Sequence, residues 1–173
     1  MTGWNTSGSS ARTVDEILRD FQFVRRMGGG ASPTQEFEEA AAQTYTAGQC
    51  VQLSTDGLIE EATSGGAAVL GIAMRAATGV TNATAEIILG LQDVIFLAST
   101  STPANVAQSL IGDLVDLEIV AGVHLVNEDA SADDVFRIVG LPVGATDSTD
   151  EDFGKVYVQV NSSQVGQTSE VAI

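Results

Sequence analysis

The rarest reactive side chains carry the first information: 173 residues contain one histidine, His124, and one cysteine, Cys50. His124 sits in Gly122-Val123-His124-Leu125-Val126, with no second imidazole and no thiol beside it to complete a zinc set or a nucleophile–base relay. It reads as a strand histidine. Cys50, in Gln49-Cys50-Val51-Gln52-Leu53, reads as a small buried strand side chain and permits no intrachain disulfide. No Gly-x-Ser-x-Gly elbow occurs, and Gly28-Gly29-Gly30 lacks the Lys-Ser/Thr of a phosphate loop.

Carboxylates are plentiful but do not fall into a metal pattern. One cluster is Glu128, Asp129, Asp133 and Asp134, and another is Asp147, Asp150, Glu151 and Asp152. Counted as an EF-hand from Asp129, the turn-glycine position falls on Asp134 and the bidentate-Glu position on Gly140; from Asp147 they fall on Asp152 and Val158. Both read as solvated loop charge, and among 23 acids nothing singles out a catalytic pair. The expectation is a protein that is not an enzyme, with no cofactor and no metal.

Charge narrows the partners. Seven basic against 23 acidic residues give a formal charge of −16, which repels phosphate backbones and anionic bilayers, so neither nucleic acid nor membrane is expected. The balance is uneven: residues 1–26 hold Arg12, Arg19, Arg25 and Arg26 and are net +1, whereas the remainder is net −17. The polar first ten residues predict no secretory signal. No stretch approaches the ~20 apolar residues of a spanning helix.

The elements that must carry these residues follow from periodicity. Thr13-Val14-Asp15-Glu16 is a capping box, and Val14, Ile17, Leu18, Phe21, Val24 and Met27 recur at helical spacing up to the Gly28–Gly30 stop. The pattern predicts an amphipathic helix over 13–27, with a weaker helical start near Ser32-Pro33-Thr34. From Tyr45 the pattern is β. Val51–Thr55 and Leu58–Thr63 flank Asp56-Gly57, a strong hairpin signal. Ala67–Ala76 is small and apolar, suited to burial on both faces. Strands are also predicted at 84–89, 94–98, 115–119, 123–126, 135–139 and 156–160, the third by strict alternation of Val115, Leu117 and Ile119 with Asp116 and Glu118. The reading is mainly β: a small antiparallel β-barrel or sandwich with an N-terminal helical arm. Its organisation is an arm over 1–46, a body over 47–162 and a polar tail over 163–173.

Hairpin, then Ser64-Gly65-Gly66-Ala67-Ala68-Val69-Leu70-Gly71-Ile72-Ala73, then Gly112-Asp113-Leu114-Val115-Asp116-Leu117, Asp134–Leu141 and Lys155–Val160: over about residues 45–165 this succession resembles the capsid decoration, or cement, proteins of tailed bacteriophages. Leu70 is one residue more than the tighter form of that pattern. The resemblance implies a β-barrel, often trimeric, bound to the outer face of an assembled capsid, with the major capsid protein and further copies of itself as partners. It implies no catalytic residues, and a place on the virion surface after synthesis in the host cytoplasm. A tail or fibre adaptor on the same β-body is the alternative.

The helix 13–27 lies outside the resemblance and is assigned from physics alone. A 15-residue helix is marginal without a packing surface. Val14, Ile17, Leu18, Phe21, Val24 and Met27 are therefore expected to dock on a surface. Either the helix folds back on its own barrel and helps close the core, or, as the favoured reading, it docks on the capsid or a neighbouring subunit, with Arg19, Arg25 and Arg26 setting orientation.

Overall fold

The computed structural model of the chain describes residues 20–66, 68–102, 106–142 and 154–161. It contains two antiparallel sheets. Strands β1 (Gln22–Arg26), β7 (Val94–Ser99), β11 (Lys155–Val160), β10 (Phe136–Gly140), β8 (Leu114–Val120) and β9 (Val123–Asn127) form a six-stranded sheet in the order β1-β7-β11-β10-β8-β9. Strands β2 (Thr34–Glu38), β6 (Thr84–Leu89), β5 (Gly71–Ala73), β3 (Cys50–Leu53) and β4 (Ile59–Glu61) form a five-stranded sheet in the order β2-β6-β5-β3-β4. Gln108–Leu110 is one 3₁₀ turn.

Every strand expected after residue 50 is present within a residue or a few of its predicted limits. The hairpin turn is longer than the two-residue form. Ser54 N–H donates to the Leu58 carbonyl at 2.8 Å, leaving Thr55-Asp56-Gly57 as the loop, and Gly57 takes φ of 78°. Such a three-residue loop needs its last residue in the left-handed region, which glycine enters without steric cost.

The N-terminal helix is not what the structure shows over its described part. Residues 22–26 form β1, paired with β7 from Gln22↔Leu97 to Arg26↔Val94, and the expected second helical start is β2, paired with β6. The reason is Phe21 and Phe23, two residues apart. Strand geometry sends both toward the same core, where Phe21 is 2% exposed with its ring centroid 5.0 Å from that of Phe136. A helix would have put Phe23 off the apolar stripe. Residues 13–19 lie outside the described residues.

Neither sheet closes into a barrel, but both curl toward closure. Just past β7, Thr100 makes an isolated parallel bridge with Val126 of β9; just past β2, Glu39 does the same with Ile59 of β4. In each case one bridge stands where a barrel would need a ladder.

Alternation along β3 and β5 joins the sheets. Cys50 and Ile72 enter the larger core with Phe96, Phe136, Leu117 and Val158 of the six-stranded sheet. Val51 and Ala73, the next residues along, enter a smaller core with Tyr45, Ile59 and Ile87. The small apolar run around Gly71 is thus buried on both faces, as its composition predicts.

Candidate interaction surface and the buried polar groups

Two kinds of polar site emerge: buried groups engaged with the main chain, and exposed groups whose sign differs between four adjacent strands of the six-stranded sheet and the five-stranded sheet. His124 belongs to the first. It is fully buried on β9, where its Nδ1 accepts from the Cys50 N–H at 3.2 Å and its Nε2 lies 3.0 Å from Glu61 Oε1. Accepting at Nδ1 places the proton on Nε2, which donates to Glu61. The imidazole therefore ties β9 of one sheet to β3 and β4 of the other. Beside it, Gln49 Nε2 donates to the Gly122 carbonyl at 2.5 Å. Cys50 is buried as expected, and burial followed by the nearby Asp20 carboxylate pushes its thiol well up, away from the thiolate a nucleophile requires.

Glu39 and Asp116 are buried carboxylates that sequence inspection does not single out. Glu39, 1% exposed, accepts from the Thr78 N–H at 2.9 Å and the Gly79 N–H at 2.6 Å, with the Thr78 hydroxyl at 3.3 Å. Asp116, 6% exposed, accepts from the N–H groups of Ala132, Asp133 and Asp134, each at 2.9 Å. The backbone amides thereby stand in for the water that a buried charge gives up. Two members of the first acidic cluster, Asp133 and Asp134, thus contribute main-chain donors to Asp116. Glu128, a third, accepts from the Thr102 N–H at 2.9 Å, and desolvation raises its pKa above the ordinary 4.5. The second acidic cluster lies outside the described residues. Among the described residues no group of three or more His, Cys, Asp or Glu side chains has the geometry to hold a metal ion.

Charge is sorted along the six-stranded sheet: β8 carries Asp116 and Glu118, and the four strands on the other side carry only cations. Adjacent strands β1, β7, β11 and β10 carry Arg25, Arg26, Arg137 and Lys155 and no carboxylate. Their inward positions, Phe23, Phe96, Val158, Phe136 and Ile138, pack in the larger core. Alternation therefore turns Ile95, Tyr157, Arg137 and Val139 outward, and the bulge between Phe23 and Arg25, which sets Arg25 opposite Ile95, turns Arg25 outward with them. Val24, Arg25, Ile95, Val139 and Tyr157 line a hollow of about 160 Å³ on that outer face. Arg26 pairs with Asp93 at 2.6 Å, whereas Arg25, exposed, makes no ion pair among the described residues.

The residues expected to form a docking helix are accordingly divided. Val14, Ile17, Leu18 and Arg19 lie outside the described residues. Phe21 belongs to the core, Arg26 is held at the end of β1 by Asp93, and Val24, Arg25 and Met27 are exposed. The outward residues of β7, β10 and β11 complete a surface that no reading of the arm alone would assemble.

No family model matches this chain, and neither a curated protein nor a solved structure matches it.

Proposed function

We propose that this protein is a structural virion component that binds the outside of an assembled tailed-phage capsid and stabilises it, as decoration and cement proteins do. The observation that carries a structural role is the use made of the buried polar side chains. Glu39, Asp116 and His124 all accept hydrogen bonds from main-chain N–H groups. A general base or nucleophile must instead direct a free lone pair at a substrate. Here those lone pairs hold loops and sheets in place.

On this reading the body is a sandwich of the two sheets, the copies associate as a trimer, and the chain performs no chemical turnover. The resemblance supplies the capsid exterior and the major capsid protein as partner. Val14, Ile17, Leu18 and Arg19 supply the shell contact, since Phe21 is committed to the core. Binding only to the assembled shell stabilises that shell by mass action, and many copies add avidity.

The test is to add purified protein to capsids that lack it. Cosedimentation, density on the outer head surface by electron microscopy, and a raised temperature of capsid opening are expected. A chain lacking residues 1–18 keeps Phe21 and β1 and should fold yet fail to cosediment. Density confined to the tail would replace this reading with that of an adaptor, and absence of binding to any particle would overturn it.

A further inference from the structure

The sorting of charge has a second half. The strands of the five-stranded sheet carry Glu36, Glu38, Glu60, Glu61 and Glu86 and no lysine or arginine. On β2 and β6, Phe37 and Ala85 face each other and pack in or against the smaller core. Alternation therefore places Glu36, Glu38 and Glu86 on the opposite face, the one whose Ile72 and Ile88 pack in or against the larger core. Glu36 and Glu38 stand exposed beyond that contact and Glu86 is half-buried. Glu36 and Glu86 are direct cross-strand partners there, and like charges set opposite each other on a sheet are destabilising. Arg75, 3.2 Å from Glu86, is the one cation that the described ion pairs bring to this surface. Folding does not require this crowding, because neither Glu36 nor Glu38 makes an ion pair among the described residues.

The same molecule carries the complement. The outer face of β1, β7, β11 and β10 combines the hollow that Val24, Arg25, Ile95, Val139 and Tyr157 line with Arg137; both arginines are exposed and these strands carry no carboxylate. Asp113, Glu128, Asp129 and Asp134 share a neighbouring hollow with Arg137, so Arg25 is the cation of this face that is clear of carboxylates. In a chain of formal charge −16, most surfaces of two approaching copies repel. Such a background leaves few orientations in which attraction is available.

We infer that these two surfaces are the halves of one contact between copies: the outer face of β1–β7–β11–β10 in one molecule receives the Glu36–Glu38–Glu86 surface of β2 and β6 in the next. The two halves are different surfaces, so the contact is head to tail. Repeating it gives a ring when the rotation closes and an open chain when it does not. Val24, Val139 and Tyr157 contribute apolar burial around the already buried Ile95, while the charges fix the register and exclude other orientations. The inference rests on the proposed self-association and adds which surfaces perform it.

The experiment is sedimentation of the full-length chain, without capsids, for the wild type, Arg25→Glu/Arg137→Glu, and Glu36→Lys/Glu38→Lys. All four positions are exposed, and circular dichroism checks that each variant folds. Each double variant should associate at least about tenfold more weakly than the wild type, because its own two faces now carry the same sign. An equimolar mixture of the two should recover association in part, since contacts between unlike copies then join opposite signs, in two of the three contacts of a mixed three-membered ring. Wild-type association in either variant alone, or no recovery in the mixture, overturns the assignment of these faces while leaving self-association in place. A wild type that stays monomeric at every concentration overturns both. If Arg25→Glu/Arg137→Glu associates as the wild type does, a second sedimentation with capsids added tells where the face belongs: loss of cosedimentation there assigns it to the shell instead.

Discussion

The two sheets solve the same problem with different materials. Each curls until strands at its two sides meet, and each makes that meeting with a single parallel bridge, at Glu39↔Ile59 and at Thr100↔Val126. A carboxylate clasps both places. In the five-stranded sheet Glu39 is itself the bridging residue, 1% exposed and bonded to the Thr78 and Gly79 amides. In the six-stranded sheet Glu128 holds the Thr102 amide from a half-buried position, and desolvation raises its pKa. One clasp is saturated with donors; in the other, backbone amides offset only part of the cost of desolvation. A curled sheet that stops short of a ladder leaves main-chain amides without strand partners, and a buried carboxylate is an efficient way to satisfy several at once.

The comparison extends to the strand that the N-terminal segment adds to each sheet. β1 is preceded by Phe21, buried against Phe136, whereas β2 offers only the half-buried Phe37. The largest expected effect follows. Phe21→Ala should cost about 3–5 kcal/mol, read from the denaturant midpoint, because it empties a packed aromatic site. Phe37→Ala should cost less. Equal and small losses at both would show that β1 is not anchored by the core.

Next in size is the buried clasp. Glu39→Ala leaves the Thr78 and Gly79 amides without their acceptor and should lower stability by about 2–4 kcal/mol. His124→Ala, which frees the Cys50 amide and separates β9 from β3 and β4, should cost about 1–3 kcal/mol. That is more than a surface strand histidine would predict. It should also speed labelling of the Cys50 thiol, which lies in the core shared by the sheets and should resist thiol reagents in the native wild type. Fast labelling of the wild type would contradict the burial on which the sheet contact depends.

Glu128 should make the stability depend on pH. Glu128 has a folded-state pKa above the ordinary 4.5, so the folded protein binds that proton more tightly than the unfolded chain. Its favourable contribution is complete below pH 4.5 and is lost as pH rises through the raised value. Glu128→Gln removes that dependence, so thermal unfolding should show the variant gaining on the wild type as pH rises from 4.5 toward neutrality. A constant difference across that range would mean that the carboxylate is not desolvated.

The smallest effect appears at the alkaline end, in the other sheet's core. Burial first, and then the Glu39 carboxylate, push the Tyr45 phenol up from 10.0 to about 12. The unfolded phenol ionises earlier, so stability from this group is intact below pH 10 and lost as pH climbs toward about 12. An ultraviolet titration should find Tyr45 ionising late, and Glu39→Gln should bring it earlier.

Much of this molecule is legible in order along its own chain. Alternation at Val115, Leu117 and Ile119, the Asp56-Gly57 turn and the small apolar run around Gly71 each specify a strand from neighbouring residues. Burial of Cys50 follows from its apolar setting. These are local signals, and local geometry decides them. The segment 20–39 is different, because Val14, Ile17, Leu18, Phe21 and Val24 fit a helix while Phe21 and Phe23 fit a strand. Two periodicities coexist there, and the open edges of β7 and β6, far along the chain, choose between them over the described part.

The buried polar groups were illegible for the same reason. Glu39 looks like one of 23 acids until the fold brings the Thr78–Gly79 amides to it, and His124 finds its acceptor role with an amide 74 residues away. The signs of the strands, basic at β1, β10 and β11 and acidic at β2, β4 and β6, are already present in the sequence. Strand order alone gathers them into opposed surfaces, because hydrogen bonding between strands places side by side residues that the chain itself keeps far apart.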